Sequence, residues 1–390
     1  MSLIRLLWSG RRRTFFPLIR SCVTLYRRPV TDTQFRGLRR RYMVHCSKII
    51  SMSVGLSTSK YKSQHALECR MGIATLGHVE LQCTDVEASR DHFYDVLGLE
   101  ESLRRDGRIY MRGWGDWDLF TLELTPAAES GVGHTAFQVE DPSDLDEYAT
   151  RIEGAGYDVR WLDPEADPGQ GRAIRFSYPG GHELELYHEM ERADIPEEDR
   201  SDLKNQPQTY VDRGVGTRRI DHVNLKVPDV DEAVAWFDDV LDFKLREELV
   251  IEDERVAGWM SVSPLVHEVA FIDAEECALN HLAYYLKAER ELYRAVDVLK
   301  DHGVEILEGP GHHGISQAIF LYHNEPSGNE IEVFAGGYLI FDPNWEVVTW
   351  TEDDLPEAIA WWGETRPFSG ADEEEADELM ERERPNADDD

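Results

Sequence analysis

The 390-residue sequence predicts an α+β protein made of four β-α-β-β-β modules that pair into two domains. Two sets of internal repeats support this prediction. LGHVELQCTDVEASRDHFYDVLGLE at 76–100 reappears as IDHVNLKVPDVDEAVAWFDDVLDFK at 220–244. Later in each half, GHTAFQVED and YPGGHELELY correspond to NHLAYYLKA and EPSGNEIEVF. Because self-similarity at this spacing marks repeated supersecondary units, each half should contain two modules.

Each long repeat predicts the same order of elements. An alternating apolar strand leads into a turn that contains Asp, and an amphipathic helix follows with Phe93 or Phe237 facing inward. A second strand ends the repeat. Neither a helix-only fold nor a parallel dinucleotide-binding fold is favoured, since no strand is followed by a Gly-rich phosphate loop.

Composition divides the chain into five parts. Residues 1–70 hold 15 basic and 2 acidic residues, a net charge of +13 that is typical of a transit peptide or of upstream sequence outside the working protein. We therefore expect the functional protein to begin at Met71. The polar stretch from 192 to 214 predicts an N-terminal domain at 71–192, a linker at 193–217 and a C-terminal domain with an extension at 218–367. The acidic tail at 368–390 is expected to be disordered.

The remaining charge restricts partners and compartment. Residues 71–390 carry 26 basic and 75 acidic residues, a net charge of −49. Such self-repulsion is expected of a halophilic protein and disfavours nucleic acid and anionic membranes as partners. Five cysteines without motif spacing favour a reducing compartment, so a cytoplasmic protein is expected. The sequence contains no run of 18 apolar residues, so no membrane span is predicted.

Superposing the repeats aligns two histidines and one glutamate in each half. The spacings are 56 and 51 residues in the first half and 59 and 51 in the second. Two histidines and a carboxylate form a facial triad that leaves open positions on a non-haem Fe(II) ion. Predicted strands are rigid enough to hold such ligands. The aligned residues are His78, His134 and Glu185 in the first half and His222, His281 and Glu332 in the second.

The surroundings of the two triads differ. In the second half, His267 precedes the second histidine by 14 residues, while His313 and Tyr322 precede the glutamate by 19 and 10. Histidine and tyrosine can move protons near neutral pH and stabilise a developing oxyanion. The residues at the same offsets in the first half are Phe120, Ala166 and Arg175. Chemistry is therefore predicted in the second half, and the first could at most bind a metal.

The motif GHHGISQAIFLYHNEPSGNEIE at 311–332 resembles the signature of the type I extradiol ring-cleaving dioxygenases. The resemblance covers roughly 73–365 and is nearest to the catechol 2,3-dioxygenase branch of the vicinal oxygen chelate superfamily. It implies two domains, each an open mixed β-barrel around a funnel. It also implies a homo-oligomer, commonly a tetramer in this family. The expected reaction cleaves catechol with O2 beside the diol to give 2-hydroxymuconate semialdehyde.

The resemblance also implies roles for residues of the second half. Fe(2+) would be bound by His222, His281 and Glu332. An acid–base histidine falls on His267, and partners of the substrate hydroxyls fall on His313 and Tyr322. Two further residues each have two possible roles. Asn224 either points into the oxygen pocket or is a surface-strand residue, and Trp259 is either a pocket wall or core.

Two features distinguish this chain from its expected relatives. The first-half triad is retained although such enzymes have usually lost it, and we interpret it as vestigial because its proton-handling neighbours are missing. Glu308, five residues before His313, should repel an anionic ring substituent, which predicts catechol and small neutral derivatives as substrates. A solvent-facing Glu308 would carry no such information. The alternative functions are a homoprotocatechuate-type dioxygenase, a metal-dependent glyoxalase-like isomerase and a non-catalytic binding protein of the same fold.

Overall fold

A computed structural model describes residues 72–363 and 365–366. The predictions about the leader at 1–70, the start at Met71 and the tail at 368–390 lie outside the described residues. Within the described residues, no helix is both long and apolar enough to span a membrane.

The described chain forms two β-sheets with short helices between the strands. The first sheet contains β1 (Ile73–Cys83), β2 (Glu100–Arg105), β3 (Arg108–Arg112), β4 (Leu122–Pro126), β5 (Gly131–Val139), β6 (Arg160–Leu162), β7 (Ala173–Ser177) and β8 (Glu183–Tyr187). The second contains β9 (Arg219–Val227), β10 (Lys244–Ile251), β11 (Glu254–Ser261), β12 (Val269–Asp273), β13 (Ala278–Tyr285), β14 (Ile306–His312), β15 (Ala318–Asn324), β16 (Glu330–Gly336) and β17 (Val348–Thr351). The α-helices are α1 (Val86–Asp91), α2 (Asp144–Gly154), α3 (Val230–Leu241), α4 (Arg290–Asp301) and α5 (Leu355–Ile359).

Strand order confirms the four predicted modules. The first sheet runs β2-β3-β4-β1-β5-β8-β7-β6, so two modules meet where β1 and β5 pair antiparallel. The second sheet repeats this order around β9 and β13, and β17 adds to β10 as a further edge strand. Within the described residues, neither sheet pairs its two edge strands, so both are open as expected. This topology matches the predicted mixed α+β class.

Local sequence explains how the repeated helices begin. Asp85 accepts a hydrogen bond from the backbone N–H of Ala88, and Asp229 does the same for Glu232. This is the N-cap arrangement that satisfies an otherwise unpaired donor of the first helical turn. The predicted inward residues, Phe93 and Phe237, are fully buried. Helix α1 differs from its repeat partner α3 because it continues into a π-helical turn at His92–Val96.

The two sheets share one hydrophobic core. Phe137 of the first sheet lies 5.2 Å from Phe243 of the second half, measured between ring centroids. Tyr178 packs against Phe237 of α3 at 5.2 Å. A polar contact joins the same halves, because the Nε2 atoms of His92 and His323 are 3.1 Å apart. The second sheet is thus held against the first by continuous side-chain packing.

Candidate metal centre and its cavity

Three neighbouring strands of the second sheet bring His222, His281 and Glu332 together. The Nε2 atom of His222 lies 3.0 Å from Oε2 of Glu332, and Nε2 of His281 lies 3.4 Å from each of those two atoms. Adjacent ligands of an octahedral ion, each about 2.1 Å from the metal, stand roughly 3 Å apart. The three separations therefore fit one face of an octahedron. Two imidazoles and a carboxylate suit Fe²⁺ or Mn²⁺.

A hydrogen bond at Nδ1 orients each of the two histidine ligands. Nδ1 of His222 is 3.0 Å from Oδ2 of Asp221, and Nδ1 of His281 is 2.8 Å from Oδ1 of Asn280. Each Nδ1–H can donate to its oxygen acceptor, which leaves Nε2 facing the centre. Burial lowers the pKa of His222, but hydrogen bonds to Asp221 and Glu332 outweigh it and raise this pKa to about 9. The cluster thus favours positive charge at its centre, as a metal ion would supply.

His267 lies directly against this cluster. Its ring centroid is 4.0 Å from that of His222, and only 8% of the residue is exposed. Burial first, and then the neighbouring charge of His222, hold the pKa of His267 well below its ordinary value of 6.5. At neutral pH this imidazole is therefore uncharged and able to accept a proton.

The loop that carries His313 is fixed by the C-terminal extension. Nδ1 of His313 donates to the backbone carbonyl of Ile359, and the backbone N–H groups of Gly314 and Ile315 donate to the carbonyl of Ala358. The opposite nitrogen, Nε2, consequently faces the Tyr322 hydroxyl at 3.2 Å. Burial raises the pKa of Tyr322 well above 10, so its hydroxyl remains a proton donor.

These groups line one cavity of about 180 Å³. Asn224 and Trp259 line it as well, and Oδ1 of Asn224 has no hydrogen-bond partner within the described residues. Sequence reasoning missed several other lining residues. They are Lys226, Ile272, Asn280, Ile315, Ser316, Ala318, Glu330, Ile359 and Arg366.

Glu308 also lines the cavity, but Arg366 compensates its charge. The Arg366 guanidinium donates to the Glu308 carboxylate and to both Glu330 oxygens, at 3.0 and 2.7 Å. The Glu308 side chain is only 11% exposed, and burial raises its pKa. Glu308 therefore does not project into solvent. No signal in the sequence indicated its partner, because Arg366 lies 58 residues away.

The first sheet assembles its aligned triad too. The Nε2 atoms of His78 and His134 are 3.0 Å apart, and Nε2 of His78 is 3.9 Å from Oε1 of Glu185. The other carboxylate oxygen of Glu185 accepts a hydrogen bond from Nε of Arg175 at 2.6 Å. Oε1 accepts one from Gln170 at 2.6 Å. The first cluster therefore includes an arginine guanidinium, whereas no arginine of the described residues contacts Glu332.

Comparisons with known proteins agree with this fold. Residues 219–333 match the Glyoxalase/Bleomycin resistance protein/Dioxygenase superfamily, and 132–191 match a catechol 2,3-dioxygenase-like N-terminal domain. A manganese-dependent 2,3-dihydroxybiphenyl 1,2-dioxygenase of Geobacillus genomosp. 3 is 41% identical over 77% of this chain and 98% of its own length. A metapyrocatechase of Geobacillus stearothermophilus is 37% identical over 76% and 92%.

A solved structure extends the likeness to the backbone. A 2,3-dioxygenase from Pseudomonas sp. KL28 superposes with a TM-score of 0.68 at 29% identity, covering 73% of this chain and 99% of that one. Fold and site thus define a metal-dependent protein of the glyoxalase and dioxygenase superfamily. Within it, the chain belongs to the extradiol ring-cleaving dioxygenases.

Proposed function

We propose that the protein is an Fe²⁺-dependent dioxygenase that opens the ring of small, uncharged catechols beside the diol. Catechol itself would give 2-hydroxymuconate semialdehyde, a step in the breakdown of aromatic compounds. One observation carries the proposal: three metal-ligating atoms and the side chains of His267, His313 and Tyr322 face the same cavity. We assign this chemistry to residues 218–367 and a non-catalytic role to 71–192.

A metal ion would be held by His222, His281 and Glu332. When bound, it would act as a Lewis acid that lowers the pKa of a diol hydroxyl. Asp221 and Asn280, the hydrogen-bond partners of the two Nδ1 atoms, support this assignment because they keep both Nε2 atoms directed at the ion.

Proton transfer would be carried by His267. Because its pKa is low, a ring nitrogen is free to take the proton that a catechol hydroxyl releases on binding. The resulting imidazolium can return that proton when the bond between the two oxygens breaks. His267 therefore begins and ends the cycle uncharged.

His313 and Tyr322 would hold the substrate oxygens. The Nδ1–H of His313 is occupied by Ile359, so Nε2 is the nitrogen available to a substrate hydroxyl. Tyr322 stays protonated and can donate to a negatively charged oxygen as it develops. Asn224 and Trp259 would shape the remaining wall, where the unpaired Oδ1 of Asn224 can accept a hydrogen bond.

Cavity size favours one aromatic ring. An engineered cavity of about 150 Å³ holds benzene, and this cavity is about 180 Å³. A catechol with a small substituent fits that volume. Arg366 on the cavity wall is held by two carboxylates, so its charge is already compensated.

The metal is tested directly by reconstitution. Metal-free protein would be loaded without oxygen with Fe²⁺ or Mn²⁺, given catechol and then exposed to air, while the yellow product is followed by absorbance. Fe²⁺ should restore turnover. Restoration by Mn²⁺ alone would place the protein with its manganese-dependent relative. No product with either ion would favour an isomerase or a binding function instead.

A further inference from the structure

Arg175 in the first sheet corresponds to Tyr322 in the second. Arg175 of β7 pairs across the sheet with Glu185 of β8, just as Tyr322 of β15 pairs with Glu332 of β16. The two frameworks are therefore equivalent around the glutamate. At this position the second sheet has a neutral hydroxyl and the first has a permanent positive charge.

The guanidinium group of Arg175 contacts three groups that could otherwise bind a metal. Its Nε is 2.6 Å from Oε2 of Glu185, and its Nη2 is 2.9 Å from Oδ2 of Asp167. The same Nη2 lies 3.2 Å from Nε2 of His134. The Arg175 side chain is only 11% exposed, so these contacts form within the protein.

Charge balance explains why a cation is needed there. Glu185 is fully buried and Asp167 is 3% exposed, and a buried carboxylate is costly unless a positive charge or hydrogen bonds compensate it. Arg175 contacts both carboxylates. A divalent ion among the same ligands would lie within contact distance of the guanidinium group and be repelled by it.

We propose that Arg175 replaces a metal ion in the first sheet, which is a latent site that takes Mn²⁺ or Fe²⁺ once this side chain is removed. Its ligands are His78, His134, Asp167 and Glu185. One potential ligand atom from each of these four buried residues lies within 4.8 Å of the other three. Two imidazoles and two carboxylates suit either of these divalent ions.

The test measures Mn²⁺ bound per chain after equilibrium dialysis. Arg175→Met removes the charge while keeping an unbranched chain, and it should bind one ion more than the wild type. Arg175→Lys keeps the charge and should match the wild type. Arg172→Met, which removes an exposed arginine three residues earlier, is the control for losing an arginine. Adding His134→Ala to Arg175→Met should return the count to that of the wild type.

Two outcomes would overturn the proposal. One is an unchanged Mn²⁺ count in Arg175→Met, provided that catechol turnover by the second sheet shows the protein to be folded. The other is loss of an ion when His134→Ala is made in the wild type, since that would mean the first sheet already binds metal. If Arg175→Met does not fold, Arg175→Tyr replaces it, because tyrosine is the residue at the equivalent position of the second sheet. The His134→Ala experiment in the wild-type protein does not depend on either Arg175 variant.

The two sites are separated by a further variant. His222→Ala combined with Arg175→Met should keep one Mn²⁺ and lose all turnover. If the wild type bound no Mn²⁺, the metal assignment in the second sheet would fail, yet a gain of one ion in Arg175→Met would still support the latent site. Failure of one assignment is therefore distinguishable from failure of the other.

Discussion

Replacing Glu247 with Gln should weaken both the fold and the position of His313. The Glu247 carboxylate is 1% exposed and accepts three hydrogen bonds. Oε1 accepts from the backbone N–H of Ser316 at 2.8 Å and from the Tyr338 hydroxyl at 2.7 Å, while Oε2 accepts from Nε1 of Trp350 at 2.7 Å. The carboxylate thus joins the His313 loop to β17 and to the segment that follows β16.

The expected magnitude follows from the donors. Glutamine replaces one oxygen by an NH2 group, so either Ser316 N–H or Trp350 Nε1–H loses its acceptor, whereas the Tyr338 hydroxyl can rotate. A hydrogen bond to a charged group contributes about 1.5–3 kcal/mol. Glu247→Gln should therefore lower the free energy of unfolding by about 2 kcal/mol. It should also lower kcat, since small displacements of a group that positions substrate are costly.

A double-mutant cycle provides the assay. Trp350→Phe removes one donor, so Glu247→Gln should be less damaging in that background, with a coupling energy of about 1–2 kcal/mol from urea unfolding of metal-loaded protein. A coupling below about 0.5 kcal/mol would refute the assignment of this hydrogen bond. An unchanged kcat in Glu247→Gln would refute the role of Glu247 in positioning the loop.

Four other predictions concern the site, its surroundings and its substrate. His281→Ala should abolish metal retention and turnover, whereas His134→Ala should leave turnover largely intact; equal loss in both would contradict the non-catalytic role of the first sheet. Melting temperature should rise steeply from dilute buffer to molar KCl, where the Debye length falls to about 3 Å, and a flat profile would contradict the halophilic interpretation. Catechol and 4-methylcatechol should show higher kcat/KM than homoprotocatechuate, and the reverse order would reject the proposed substrate. Burial raises the pKa of Glu268 to about 7, so the folded wild-type protein loses stability as pH rises from the ordinary value of 4.5 towards 7. Glu268→Gln removes this loss, and its free energy of unfolding relative to the wild type should therefore increase by about 2 kcal/mol between pH 5 and pH 8. If this difference did not change with pH, the Glu268 carboxyl would not be protonated in the folded protein.

The repeats predicted the four modules because their strands and helices align between the two halves, whereas β17 and α5 of the C-terminal extension have no repeat partner. The same alignment selected His222, His281 and Glu332, which the structure brings within 4.8 Å of one another. Residues on paired strands keep a fixed register, so positions aligned by the repeat are expected to lie together. His267, His313 and Tyr322 required the resemblance to a known family as well as their offsets.

Other parts of the site could not be predicted from the sequence. Glu247, Ile359 and Arg366 reach the cavity wall or its supporting loop from separate segments, and two of them belong to the C-terminal extension, which has no counterpart in the first half. Their partners are defined only by tertiary packing. Arg175 was located by its offset, but its contacts with buried carboxylates depend on side-chain direction.

The aromatic packing between the sheets couples the stability of the two halves. Trp236 of α3 lies 5.7 Å from both Tyr157 and Tyr178, measured between ring centroids, and Phe137 contacts Phe243 at 5.2 Å. A chain divided in the linker would expose these rings on both fragments. The first half therefore contributes buried aromatic surface on which the stability of the second half depends, whether or not its own cluster binds a metal.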